Sequence, residues 1–287
     1  MNSKLPSLDN AVISLAGLGG VGGICAQTLV DCRIKRLTAI DYDTYERKNY
    51  PCQFFAMPQA IGQEKSVEVA RRLADNSHTE IDIFDGDLTL PANAERLVRE
   101  SHIVICAVDN FRAQTAVALA AEEAGIPFAL ISVVGFSCMY TIYYPGKNSF
   151  SSQWKRYGHK LDMAKSKATA ANQDTGEAMR RQQLIFAMAI GGYTRQAMEK
   201  LYNEYRNEQG HNYFNYTGVN FSGPTLALAN IFNALTGRGK VITFPEVGIF
   251  NFHTCRTIQA ATLRRKIYQL NRVFHKGIDA LLEVVSP

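Results

Sequence analysis

A chain of 287 residues, 46% of them hydrophobic, has enough apolar mass for one large core or two modest ones, which excludes wholesale disorder. No apolar run approaches the ~18 to 20 residues of a membrane span, and the opening MNSKLPSLDN lacks a signal-peptide hydrophobic region, so a cytoplasmic protein without a membrane partner is expected. The formal charge of +5 favours acidic ligands without the dense basic patches of nucleic-acid binders, so no nucleic-acid partner is expected. Six scattered cysteines (Cys25, Cys32, Cys52, Cys106, Cys138 and Cys255) form no CxxC, which points to reduced thiols rather than disulfides or structural zinc.

Val12 to Ala16 reads as a buried parallel strand, and Gly17, Gly19 and Gly22 follow in GxGxxG spacing, with Gly20 between them. Such glycines allow a tight turn, a close approach of phosphate to backbone, and a helix lying close against the strand. The helix reads from Ile24 to Val30, and its N-terminal amides favour phosphate oxygens. Leu37 to Ile40 is a second strand ending at Asp41, 24 residues after Gly17, about where a dinucleotide fold places a ribose-binding carboxylate; a turn or capping Asp is the alternative. After the polar loop DTYERKNYPCQFF, a helix runs from about Gln63 to Ala74 with Val67, Val69, Ala70 and Leu73 as its apolar face. Ile81 to Phe84 is a strand, Pro91 to Val98 a helix, and Ile103 to Val108 a strand ending in AVDN. Arg112 to Gly125 is an Ala-rich helix and Phe128 to Val134 a further strand. This alternation implies an α/β fold, a doubly wound, Rossmann-like and mostly parallel sheet, with Asp41 and Asp109 at its C-terminal edge.

Met139 to Tyr144 reads as one more strand. From Lys147 to Thr175 periodicity disappears, and Lys155, Arg156, Lys160, Lys165 and Lys167 face a single acid, Asp162. That stretch reads as a crossover or lid able to steer an acidic peptide or small protein, or else as a solvated loop. Helix spacing returns over Glu177 to Arg206, broken near Gly191 and Gly192, and Pro224 to Leu235 is apolar on nearly every side, suited to a core or a subunit interface. Lys240 to Thr243 and Gly248 to Phe252 read as strands, and Leu263 to Val285 contains a final amphipathic helix. The expected organisation is a nucleotide core over 1–147, a crossover over 148–175, and a helical and strand extension over 176–287 that completes the fold, substrate site and dimer interface. No boundary separates two independently folding domains, and the six histidines form no metal-spaced pair.

GLGGVG, then DYDTYERKNYPCQ, then IGQEK carrying Lys65, then VDN at Asp109, together resemble the ThiF/MoeB/HesA superfamily, the adenylating fold shared with ubiquitin-activating enzymes; the match runs from about Val12 to Lys147. The resemblance implies ATP and Mg²⁺, with Gly17, Gly19, Gly20 and Gly22 at the phosphates and Asp41 on the ribose. Asp43 completes the Asp-x-Asp. Asn49, Gln53 and Lys65 would contact nucleotide or phosphates, Asp109 would hold the magnesium ion, and Arg112 has a counterpart in some members. Activating a carboxylate on ATP brings anions together, so Lys65, a cation on Asp109 and the helix N-terminus suit the charge that develops. Lys65 could otherwise be a solvated helix residue, and Asp109 a cap for the Ala-rich helix.

Cys52 stands where the family has Arg, so Arg47, Lys48 or another subunit would have to replace that guanidinium. The paired CxxC zinc motifs are absent, so no zinc is expected. No cysteine lies between Met139 and Thr254, which argues against an enzyme thioester and leaves Cys138 and Cys255 as small buried side chains. What remains resembles the branch that matures ribosomal peptide antibiotics, of microcin C and above all pantocin A type. That branch implies activation, by adenylation or phosphorylation, of a carboxyl or carboxamide group on a peptide, and together with the apolar run from Pro224 to Leu235 it implies a homodimer. About ten residues precede the first strand, so leader recognition is expected from the C-terminal half or a second subunit. Three alternatives stay open: activation of a ubiquitin-like or sulfur-carrier C-terminus, an NAD-dependent oxidoreductase, and a noncatalytic subunit of an adenylating heterodimer.

Overall fold

The computed structural model describes residues 6–75, 78–146, 149–151, 181, 184–185, 187–189, 195–207, 217–258 and 260–285. Two units divide the chain: Met1–Val133, Met139–Ser152 and Thr217–Val247 form one, and Val134–Cys138, Gln153–Tyr216 and Gly248–Pro287 the other.

In the first unit the strands β1 (Val12–Ala16), β2 (Arg36–Asp41), β3 (Glu80–Asp85), β4 (Ile103–Cys106), β5 (Phe128–Val134) and β6 (Ser137–Tyr143) lie in the order β3-β2-β1-β4-β5-β6. β1 pairs in parallel with β2 on one side and β4 on the other, and β2 with β3 and β4 with β5 are parallel as well. The strands are joined by α1 (Gly20–Asp31), α2 (Lys65–Leu73), α3 (Pro91–Val98) and α4 (Phe111–Glu123). The sheet is thus the doubly wound, mostly parallel, Rossmann-like one expected. Every residue of β1 and of β4 is buried, as strands covered on both faces require. Ala16, Ile40, Leu97, Val104, Val117 and Phe128 belong to one buried cluster that ties sheet to α3 and α4. Strand order reverses at β1, which feeds β2 to one side while β4 joins on the other. That crevice, beyond the carboxyl ends of the strands, is where such sheets bind ligands.

Several elements differ from the sequence reading. α1 starts at Gly20, four residues before the expected Ile24, because packing on β1 overrides the low helix propensity of glycine. α2 buries Lys65, Ser66, Glu68, Val69 and Leu73, whereas Val67 is 54% exposed. Residues 65, 69 and 73 share one face at i, i+4 and i+8, and Val67 points away from it, so the apolar face expected to include Val67 is corrected. The helix expected from Pro224 spans Thr217–Thr236 with Pro224 inside. It packs on α1, burying Ala227, Leu228, Ile231 and Leu235 while Ser222, Thr225 and Ala229 are exposed. The strand expected over 240–243 reduces to a single parallel bridge between Ile142 and Thr243.

In the second unit β7 (Gly248–Asn251) pairs antiparallel with β8 (Arg256–Thr257). Cys255 is exposed in the connecting turn with φ +51°, which corrects the expectation of a buried strand residue. The single C-terminal helix resolves into Ala260–Val273 and Ile278–Val285, parted by the turn Phe274–Lys276 and by Gly277 at φ +94°. Arg195–Arg206 is a further helix, and the Arg181 guanidinium sits 4.6 Å over the Phe274 ring. The expected break at Gly191 and Gly192 and the basic residues Lys155, Arg156, Lys160, Lys165 and Lys167 lie outside the described residues. Among the described residues no helix is long and apolar enough to cross a membrane.

Candidate functional site

At the end of β1 the chain turns at Gly17, whose φ of +89° is open to glycine at little cost, and the Gly17 N–H donates to the Ile40 carbonyl at 2.9 Å. A Cβ on Gly22 would lie 1.8 Å from the Gly17 carbonyl oxygen, so no side chain fits where α1 crosses the turn. Gly19 begins α1 without a side-chain cap. The first amides of α1 therefore keep their capacity for an anion, reinforced by the helix dipole.

Asp41 closes β2 opposite that turn. Its Oδ2 accepts the Leu18 N–H at 2.6 Å and its Oδ1 the Asp43 N–H at 2.9 Å. Burial pushes its carboxyl upward, against the Lys65 charge and the two backbone donors. Two N–H donors leave lone pairs for hydroxyl groups of a ligand.

Lys65 comes from the start of α2 and is only 5% exposed. Its Nζ meets Asp43 Oδ2 at 2.9 Å, and its backbone N–H donates to the Asp43 carbonyl at 2.9 Å. An antiparallel bridge between Thr44 and Glu64 and the bond from Tyr45 N–H to the Gln63 carbonyl at 2.9 Å set the two segments side by side. The alternative of a solvated Lys65 is thereby overturned: the ammonium is buried and paired.

Asn49 is buried, and its Oδ1 accepts the Glu46 N–H at 2.8 Å as half of a capping box with the Glu46 side chain. The amides of Cys52 and Gln53 both donate to the Asn49 carbonyl, at 3.1 and 2.9 Å. Gln53 then lies over Gly19: a Cβ on Gly19 would be 3.6 Å from Gln53 Nε2, and Gln53 Oε1 is buried without a hydrogen-bond partner. Cys52 is half-buried, with its thiol pushed up by burial. Lys48, one candidate to replace the missing guanidinium, is exposed and paired with Glu46 at 2.8 Å.

Asp109 follows β4 and is exposed. Capping of α4 falls to its neighbour: Asn110 Oδ1 accepts the N–H groups of Arg112 at 2.9 Å and Ala113 at 3.3 Å. The capping alternative for Asp109 is therefore corrected, and its carboxylate is not occupied by the helix. Arg112 is exposed on the first turn. Tyr42, 59% exposed, has its phenol pushed up first by Asp43, then by burial, Asp87, Asp41 and Asp109, which puts four carboxylates within electrostatic reach of one ring. Even so, among the described residues no three His, Cys, Asp or Glu side chains are grouped to hold a metal. Asp87 and Asn220 carried no signal in the sequence, whereas Asn110 stood in the VDN motif beside Asp109. Asn220 Nδ2 donates to the Cys52 carbonyl at 3.3 Å across 168 residues of chain, a pairing that no local pattern encodes.

The sheet order, the glycine turn and the carboxylate at the end of β2 define a doubly wound, Rossmann-like α/β protein with its candidate site at the switch point. The chain belongs to the ThiF family, whose model matches residues 2–234. Among curated relatives, ubiquitin-like modifier-activating enzyme 5 of Dictyostelium discoideum is 30% identical over 131 residues, 42% of this chain and 34% of that protein. The same enzyme of Drosophila grimshawi is 32% identical over 128 residues, 40% of this chain and 32% of that protein, so the shared part spans about a third of these relatives. Of solved structures, PaaA superposes with a TM-score of 0.60 at 16% identity, over 88% of this chain and 64% of that one. Escherichia coli MccB with ATP gives 0.62 at 16% identity, over 88% and 63%. The microcin C7 biosynthetic enzyme MccB with N-formylated MccA gives 0.61 at 16% identity, over 88% and 64%. At that identity the likeness is one of fold.

Proposed function

We propose that this chain is an ATP-dependent adenylating enzyme that activates a carboxyl or carboxamide group of a peptide with Mg²⁺ and without an enzyme thioester. The observation that carries the reading is Asp41, fixed by two backbone donors opposite an uncapped glycine helix start, with Lys65 buried beside it on Asp43. The residues fit a nucleoside triphosphate: the uncapped first amides of α1 suit phosphate oxygens, Asp41 keeps acceptor capacity, and the Gln53 amide lies beside Gly19, its Nε2 donor 3.6 Å from where a Cβ on that glycine would stand. They fit Mg²⁺ as well, since that ion is commonly held by one or two carboxylates plus phosphates and needs no preformed cage. Asp109, relieved of capping by Asn110, is the carboxylate for it.

When bound, ATP would supply an electrophilic α-phosphate with pyrophosphate as leaving group. Lys65 and the first amides of α1 would offset the charge gathering between acyl oxygen and phosphate, and Asp43 would hold Lys65 in line. Buried Cys106 and Cys138 have thiols pushed up to about 12, so both stay protonated at neutral pH and make poor nucleophiles. The peptide substrate is supported by the MccB complex with MccA. A homodimer and an acidic peptide steered by the 155–167 cations complete the proposal. A second reading, activation of a ubiquitin-like protein C-terminus, is favoured by the roughly 30% identity to ubiquitin-like modifier-activating enzyme 5.

Pyrophosphate release from ATP, with an acidic peptide, a ubiquitin-like protein or neither, tests both readings. Release with peptide alone supports the first, and release with the protein alone the second. NAD binding without ATP binding would overturn both.

A further inference from the structure

Asn220 lies near the start of the Thr217–Thr236 helix and is 4% exposed, yet its amide is aimed at the loop beside the glycine turn. Its Nδ2 donates to the Cys52 carbonyl at 3.3 Å, and a Cβ on Gly20 would lie 2.6 Å from that oxygen and 3.6 Å from Asn220 Cγ and Nδ2. Among the described residues no backbone N–H donates to Cys52 O, so the Asn220 side chain is what satisfies it. This matters because a carbonyl at an uncapped helix start competes with anions for the same amides. The edge-on ring pair of Phe54 and Phe221, 6.3 Å apart, joins the same loop to the same helix turn. Held by Asn49 from one side and Asn220 from the other, the loop seats Gln53 over Gly19.

We propose that Asn220 is a positioning residue of the nucleotide site, binding the Cys52 carbonyl so that the first amides of α1 stay free for phosphate and Gln53 stays over Gly19. The inference rests on the nucleotide reading above. Asn220→Asp keeps the shape and removes the donor, and Asn220→Ala removes the amide. Each should weaken binding of a nonhydrolysable ATP analogue about five- to tenfold, the size of one lost hydrogen bond. KM for ATP should rise in step, while kcat at saturating ATP stays within about twofold and peptide KM is unchanged. A merely structural role would lower the melting temperature and leave affinity per folded molecule intact. Gln53→Ala, at a half-buried loop position, should reproduce the affinity loss even where Asn220 variants fold poorly, and Asn220→Asp combined with it should lose less than the two separate losses together. Wild-type affinity in Gln53→Ala, or in a folded Asn220→Asp, would overturn the role of Asn220 while wild type still binds ATP. Wild type that binds no ATP would overturn the nucleotide reading itself, and this inference with it.

Discussion

Removing the Asp41 carboxylate strips acceptors from two backbone amides at once, and the two losses can be weighed. Leu18 is fully buried, so in Asp41→Ala its N–H loses a 2.6 Å partner with no water to replace it, which costs about 1–3 kcal/mol. The Asp43 N–H is partly buried and loses a 2.9 Å partner, which adds about 0.5–1.5 kcal/mol. Against this stands the cost of keeping a carboxylate ionised in a buried place, the cause that raises its pKa. With a raised folded pKa, that penalty is absent below the unfolded carboxylate value and is incurred as pH rises through the folded one. At pH 7 the net loss should therefore be about 1–3 kcal/mol, smaller than at pH 4. Hydrogen exchange followed by mass spectrometry should show Leu18 and Asp43 exchanging about tenfold to a hundredfold faster in Asp41→Ala. Unchanged exchange at Leu18, with an unchanged melting temperature, would refute the reasoning.

Gly22→Ala puts a Cβ 1.8 Å from a backbone oxygen that cannot retreat, so a loss above about 3 kcal/mol is expected in thermal melting; a wild-type melt would show that α1 shifts freely. Asn110→Ala removes the α4 cap and should cost about 1 kcal/mol in the same measurement, whereas Asp109→Ala should change stability by less than about 0.5 kcal/mol yet abolish pyrophosphate release. Normal turnover in Asp109→Ala would remove it from metal binding. His102 Nδ1 accepts the Val12 N–H at 2.9 Å, and burial, with Lys35 and Arg36, lowers its pKa. Its stabilising bond is fully present above the unfolded value of about 6.5 and is lost as pH falls through the folded value, so the melting difference between wild type and His102→Leu should shrink from pH 7.5 to pH 5. A pH-independent difference would sink that account.

The parts of this protein written locally were legible. β1 is a fully buried run, apolar but for Ser14, and the glycines after it announce the turn because the steric demand of the turn falls on those same residues. Asp41 was legible because strand length fixes which residue ends β2. Choosing between Asp109 and Asn110 as the cap was not, since both side chains suit a helix start and only the entry of the chain into α4 decides. The burial of Lys65 depends on Thr44 returning beside Glu64, which brings Asp43 to Lys65, a pairing without periodicity. Val67 misled because the α2 face turned to the fold starts with a lysine, so hydrophobicity alone mis-set its orientation. Gly277 did carry a signal for the break in the last helix, one that the amphipathic run on either side obscured.

The first unit is sewn from separated stretches, and this orders events on the ribosome. By Ser152 the parallel pairs of β1 with β2 and β4, of β2 with β3 and of β4 with β5 have all been synthesised, but the helix that lies along α1 belongs to Thr217–Val247. At about 5–20 residues per second, roughly five to twenty seconds separate residue 152 from residue 247. For that interval α1 lacks its partner helix, and a chain stopped near 152 would keep that side of α1 uncovered. The nascent protein thus passes through a stage in which its glycine turn is already complete while the covering of the helix behind it still awaits synthesis.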